Sequence, residues 1–141
     1  MTPGQQDARA RHLIDLTEEE CWELVATRDV GRLAWQGSAG LTVVPVNYRA
    51  GGGEVLLRTA AYSAAARECD DSPVAFQVDA VEPTTRSGWS VLLRGRAHLD
   101  HVGPDDDVDT WPAGSRPLVV RIEATEVTGR RLPPAAGDPA R

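Results

Sequence analysis

The chain has few of the residues that carry most recognisable chemistry: two cysteines, three histidines, one phenylalanine and one methionine in 141 residues. Cys21 and Cys69 lie far apart and outside any Cys-x-x-Cys or Cys/His spacing, which argues against a disulfide framework or a zinc site. No apolar run approaches the ~20 residues needed to span a bilayer, and residues 1–11 lack the apolar segment of a signal peptide. The expectation is a soluble, cytoplasmic protein with no membrane partner. The net charge of −6 leaves no basic stripe to neutralise phosphates, so a nucleic-acid partner is not expected either. With three histidines, no Ser/His/Asp grouping can be read, and no catalytic side chain or metal ligand is assigned. His98, Asp100 and His101 with the acidic run Asp105 to Asp109 lack the spacing of a calcium loop. They read as a strand end leading into a solvated helix.

What is present is one domain's worth of sequence, expected over 16–132, with flexible segments at 1–15 and 133–141. Thr17-Glu18-Glu19-Glu20 is a capping box, with Leu16 placed to staple onto Cys21. The helix it opens should bury Cys21, Trp22, Val25 and Ala26 and end near Arg28-Asp29. From Val30 the pattern becomes β-rich, with strands expected over 31–36, 41–50, 54–59, 74–81, 89–99 and 118–127. Ser38-Ala39-Gly40 and Gly51-Gly52-Gly53 are hairpin links. An alanine-rich helical segment covers 63–69, and Gly103-Pro104-Asp105-Asp106-Asp107 reads as another helix start. The fold class is mainly β: a six-stranded antiparallel barrel with a few short helices, closing on itself and too small to enclose a large ligand.

Two stretches carry chemistry. Pro45 in a strand cannot donate a ladder hydrogen bond, so Val43-Val44-Pro45-Val46-Asn47-Tyr48 marks an edge, a bulge or the place where two sheets part, where backbone groups are available to a ligand. Arg58 and Thr59 at a strand end, with Ser63 opening a short helix, suit a phosphate monoester. The same residues would equally serve as a surface ion pair and helix caps.

The ordered set formed by the capping-box helix, Gly31-Arg32-Leu33-Ala34, Pro45-Val46-Asn47-Tyr48, Arg58-Thr59, Val74 to Asp79, Ser87 to Val91, Arg94 to Ala97 and Val127 to Arg131 resembles the pyridoxamine 5′-phosphate oxidase-related flavin-binding proteins of actinobacteria. That resemblance implies a split β-barrel working as a homodimer with shared cofactor sites, binding FMN and acting as a flavin-dependent oxidoreductase on a small-molecule substrate. Pro45, Val46 and Asn47 would face the flavin ring. Arg58, Thr59 and Ser63 would hold the phosphate, and Trp89 and Ser90 would approach from the partner chain. Trp89 reads equally as a core side chain of a long strand. Relatives often place a lysine after this serine, where the chain has Ala64; Arg67, one turn on, is the candidate substitute. A deazaflavin, a heme held through His98, or a barrel without cofactor are the alternatives.

Overall fold

The computed structural model of the chain describes residues 11–135, so most of the two end segments expected to be flexible lies outside the described residues. Eight strands and two helices follow in the order β1 (Ile14–Asp15), α1 (Glu18–Val25), β2 (Val30–Gly37), β3 (Gly40–Asn47), β4 (Arg49–Gly51), β5 (Glu54–Thr59), α2 (Ala64–Glu68), β6 (Ser72–Glu82), β7 (Ser87–His101) and β8 (Leu118–Leu132). All pairings are antiparallel, in the order β3-β2-β6-β7-β8-β5-β4, and β1 adds to β8. The six expected strands are all present. The expected second strand, 41–50, is interrupted at Tyr48, which separates β3 from the short β4. The sheet is not closed: β3 and β4 end the path, so the barrel does not seal on itself and is the split barrel that the resemblance implies.

Alternation along the strands sets the two faces. Leu33, Trp35, Phe76, Val78, Val91 and Leu93 point inward and are almost wholly buried. Phe76 is the largest fully buried side chain, and its ring meets that of Tyr48 edge-on, with centroids 5.0 Å apart at 74°. The capping box forms as expected: the Glu20 N–H donates to Thr17 Oγ1 (3.1 Å) and the Thr17 N–H donates to Glu20 Oε1 (2.9 Å). α1 lays Cys21 and Val25 on the core, but it ends at Val25 with Ala26 as C-cap. Ala26 is exposed, so the helix is about a turn shorter than its pattern suggested. Ile14 and Asp15, expected in the flexible leader, pair with Arg131 and Arg130 of β8.

The helix expected to start at Gly103 does not form: Val102 to Pro117 is an irregular strap across the outside of β4, β5 and β8. It covers a small second core of Leu56, Val108 and Val119. Arg49 donates to the carbonyls of Asp105 (2.7 Å) and Asp107 (2.8 Å), and the Asp106 carboxylate accepts from the Gly103 N–H (2.9 Å) and from Arg121 (3.1 Å). These partners take carbonyls and a carboxylate that a helix would have used or left to solvent.

α2 is anchored by its last residue. Glu68 accepts from the Ser38 N–H (2.7 Å) in the β2–β3 hairpin and from the Trp35 indole (3.3 Å), and the first of these chiefly holds its carboxyl below the ordinary glutamate value. A depressed folded-state pKa contributes stability that is full above the unfolded value and is lost as pH falls through the folded one. Glu68→Gln should therefore flatten the decline of the urea midpoint on the acid side of the carboxylate range while leaving its neutral-to-alkaline course parallel to wild type. An unchanged acid slope would remove Glu68 from the set of carboxylates that drive acid unfolding.

Candidate functional site

The Tyr48 N–H donates to the Asp29 carbonyl (3.3 Å), which fixes the phase of the β2–β3 ladder. By alternation Pro45 and Asn47 then turn their backbone groups to the free edge of β3, where the missing proline N–H costs no ladder bond. The side chain of Pro45 is exposed, and Val46 is half-buried against the core. Asn47 donates through Nδ2 to the Asp29 carbonyl (3.1 Å) and accepts through Oδ1 from the Trp111 N–H (2.8 Å). It thereby pins the tip of the strap against the edge of the sheet.

An apolar cleft of about 270 Å³ results, lined by Val30, Pro45, Val46, Asn47, Trp111 and Pro112. A polar cleft of about 300 Å³ adjoins it across Val30 and Trp111, with Arg28, Asp29, Arg32 and Asp79 in its wall.

The residues expected to hold a phosphate are only partly brought together. Thr59 Oγ1 and Ser63 Oγ lie 2.5 Å apart, and Ser63 caps α2 by accepting from the Ala66 N–H (3.1 Å). Arg58, next to Thr59 on β5, points to the opposite face, where Nε (3.1 Å) and Nη2 (2.9 Å) both donate to the Arg116 carbonyl of the strap. Arg58 is thus a strap tether in this structure. Ala64 is half-buried against the core. Arg67 is exposed, stands one helical turn on from Ser63, and among the described residues its guanidinium has no hydrogen-bond or ion-pair partner.

Trp89 packs inward against the core from β7 and also lines a cleft of about 350 Å³ with Arg86, Arg130, Val81 and Leu132. Ser90 is exposed on the outer face of the sheet. There it accepts from Gln77 Nε2 (3.2 Å), which also donates to Asp79 (3.1 Å), while Arg32 Nη1 reaches Gln77 (3.1 Å) and Asp79 (3.4 Å). Of these four residues only Ser90 was among the expected site residues; Arg32, Gln77 and Asp79 join it through the register between β2, β6 and β7.

His98 is half-buried on β7 opposite Arg121. Burial pushes the Cys69 thiol up to about 11 and raises that of Cys21, so neither supplies a thiolate nucleophile near neutrality.

An open antiparallel sheet with its capping helix at one end and an edge strand flanked by clefts defines the split-barrel class. Residues 17–131 match the family described as Pyridoxamine 5′-phosphate oxidase, and the chain belongs to that family. An uncharacterized protein of Mycobacterium tuberculosis is 33% identical over 147 residues, spanning 94% of this chain and 95% of its own. Among solved structures, the FAD binding protein from Mycobacterium smegmatis superposes with a TM-score of 0.69 at 26% identity, covering 85% of this chain and 98% of that one. A conserved protein of unknown function from Corynebacterium diphtheriae gives 0.66 at 26% identity, covering 86% and 98%. No helix among the described residues is long and apolar enough to cross a membrane.

Proposed function

We propose that the chain is a cytoplasmic FMN-binding protein that acts as a homodimeric flavin-dependent oxidoreductase on a small molecule. The observation that carries this reading is the free backbone edge at Pro45 and Asn47 beside the apolar cleft walled by Trp111. A flavin ring is flat, apolar on its faces and polar at one rim, and such a cleft offers a surface for the former with carbonyl and N–H groups for the latter. The Thr59 and Ser63 hydroxyls with Arg67 are the residues that would hold a phosphate. When bound, the flavin supplies the hydride or electron chemistry, and the side chains position it. The flavin reading is further supported by the Mycobacterium smegmatis relative, which is described as an FAD binding protein.

The homodimer rests on the outer face of β3, β2, β6 and β7, where Leu41 (85%), Val43 (62%) and Val81 (72%) are exposed around the Arg32–Gln77–Asp79–Ser90 network. Exposed apolar side chains spread over one sheet face suit burial against a second copy, which would also bring Ser90 and the Trp89 cleft to a shared boundary.

The test is a fluorescence titration of FMN and riboflavin, with the mass of the complex followed by light scattering. FMN should bind tighter than riboflavin to a dimer, and Arg67→Gln should weaken FMN roughly two- to fivefold, as expected of an exposed ion pair, with riboflavin unaffected. Equal loss for both ligands would remove Arg67 from the phosphate site. A colourless protein that ignores FMN would overturn the flavin reading, and a monomer mass would overturn the shared site.

A further inference from the structure

Trp111 is 66% exposed although its main chain is fixed by Asn47 and it stands beside Pro112 in a strap tethered by three arginines. Holding a large indole in water on a fixed backbone leaves apolar area available to a flat partner. The indole is the common wall of the apolar and polar clefts, which also share Val30.

In the polar cleft, the Arg28 guanidinium has no hydrogen-bond or ion-pair partner among the described residues. Arg32 engages Gln77 and Asp79 through Nη1 alone, so its Nε and Nη2 are open. The planar fork of an arginine matches a carboxylate in bidentate geometry. Asp29 and Asp79 line the same cleft, and their charge disfavours a dianion more than a monoanion. At about 300 Å³ the cleft has room for one small molecule.

We propose that the polar cleft beside Trp111 is the substrate subsite and takes the carboxylate of a small aromatic acid, whose ring packs on the Trp111 indole. Calling that acid the substrate rests on the flavin reading; the binding site itself does not.

The probe is sodium benzoate, titrated calorimetrically into the full chain with and without prior saturation by FMN, against benzamide and phenyl phosphate. Benzoate should bind more tightly than either the neutral amide or the dianion. Arg28→Gln should weaken benzoate five- to tenfold and leave benzamide unchanged. Trp111→Ala should weaken both roughly tenfold, with affinity restored by Trp111→Phe. Both residues are exposed, so circular dichroism and urea midpoints should match wild type. Absence of benzoate binding in both forms overturns the proposal, as does equal affinity for benzoate and benzamide, or indifference to Arg28→Gln or Trp111→Ala. Benzoate binding with a flat FMN titration supports the cleft and overturns the flavin reading, whereas FMN binding without benzoate does the reverse.

Discussion

Phe76→Ala should lower the unfolding free energy by roughly 3–5 kcal/mol, the range for deleting a fully buried aromatic ring. Phe76 is the chain's one phenylalanine and sits in the middle of β6, where it packs edge-on with Tyr48. A β-carbon built on Gly31 would lie 2.4 Å from the Phe76 Cζ, so β2 closes directly over the ring. Gly31 therefore offers no side chain to fill the space the ring leaves. Urea denaturation followed by tryptophan fluorescence measures the loss. A cost below about 1.5 kcal/mol would mean that β2 and β6 collapse onto the vacancy, and that the close approach at Gly31 is soft.

Gly95→Ala should be almost as costly, about 3 kcal/mol, from a single added methyl group. The β7–β8 register shifts between Arg94 and Gly95, and the bulge brings the two backbones so close that a β-carbon at position 95 would lie 1.9 Å from the Glu123 carbonyl oxygen. That neighbour is main chain and cannot swing aside, so the ladder itself must shift. The comparison variant is Gly51→Ala, where nothing lies within 4 Å of the added carbon, and its urea midpoint should stay near wild type. If both alanines proved equally mild, the tight contact at the bulge would not be a feature of the folded protein in solution.

Much of the fold was legible because the long strands alternate cleanly. Leu33 and Trp35, Phe76 and Val78, and Val91 and Leu93 each sit two apart, which set both the strands and their inward faces. β1 and β4 were not legible, since two or three residues are too few to show a period. The early end of α1 at Ala26 has no glycine or proline to announce it. The aspartate run after Pro104 carried a sound helix-start signal. It was overridden by arginines from β4 and β8, which are distant in sequence and so invisible to a local reading.

The site was legible in the same uneven way. Pro45 marked an edge, a bulge or a parting of sheets on backbone chemistry, and the strand order makes it an edge. The division of Arg58 from Thr59 was already implied by strand alternation, since neighbours on a strand face opposite ways, although helix-cap and phosphate patterns drew them together. Trp111 lay outside every pattern, and only the Asn47 contact across the fold places it at the cleft.

All fifteen basic side chains of the chain are arginines, and two of them, Arg49 and Arg58, grip the strap only by its peptide carbonyls. A carbonyl is the same whatever residue carries it, and it does not titrate. Those two fastenings are therefore indifferent to the side chains they hold, unlike the third, in which Arg121 grips the Asp106 carboxylate. Exposed positions along the strap, 111 among them, are free to be exchanged without unfastening it, so the wall of the cleft can be rewritten one residue at a time on an unchanged frame. For a directed-evolution library that would make the strap, rather than the sheet, the place to diversify.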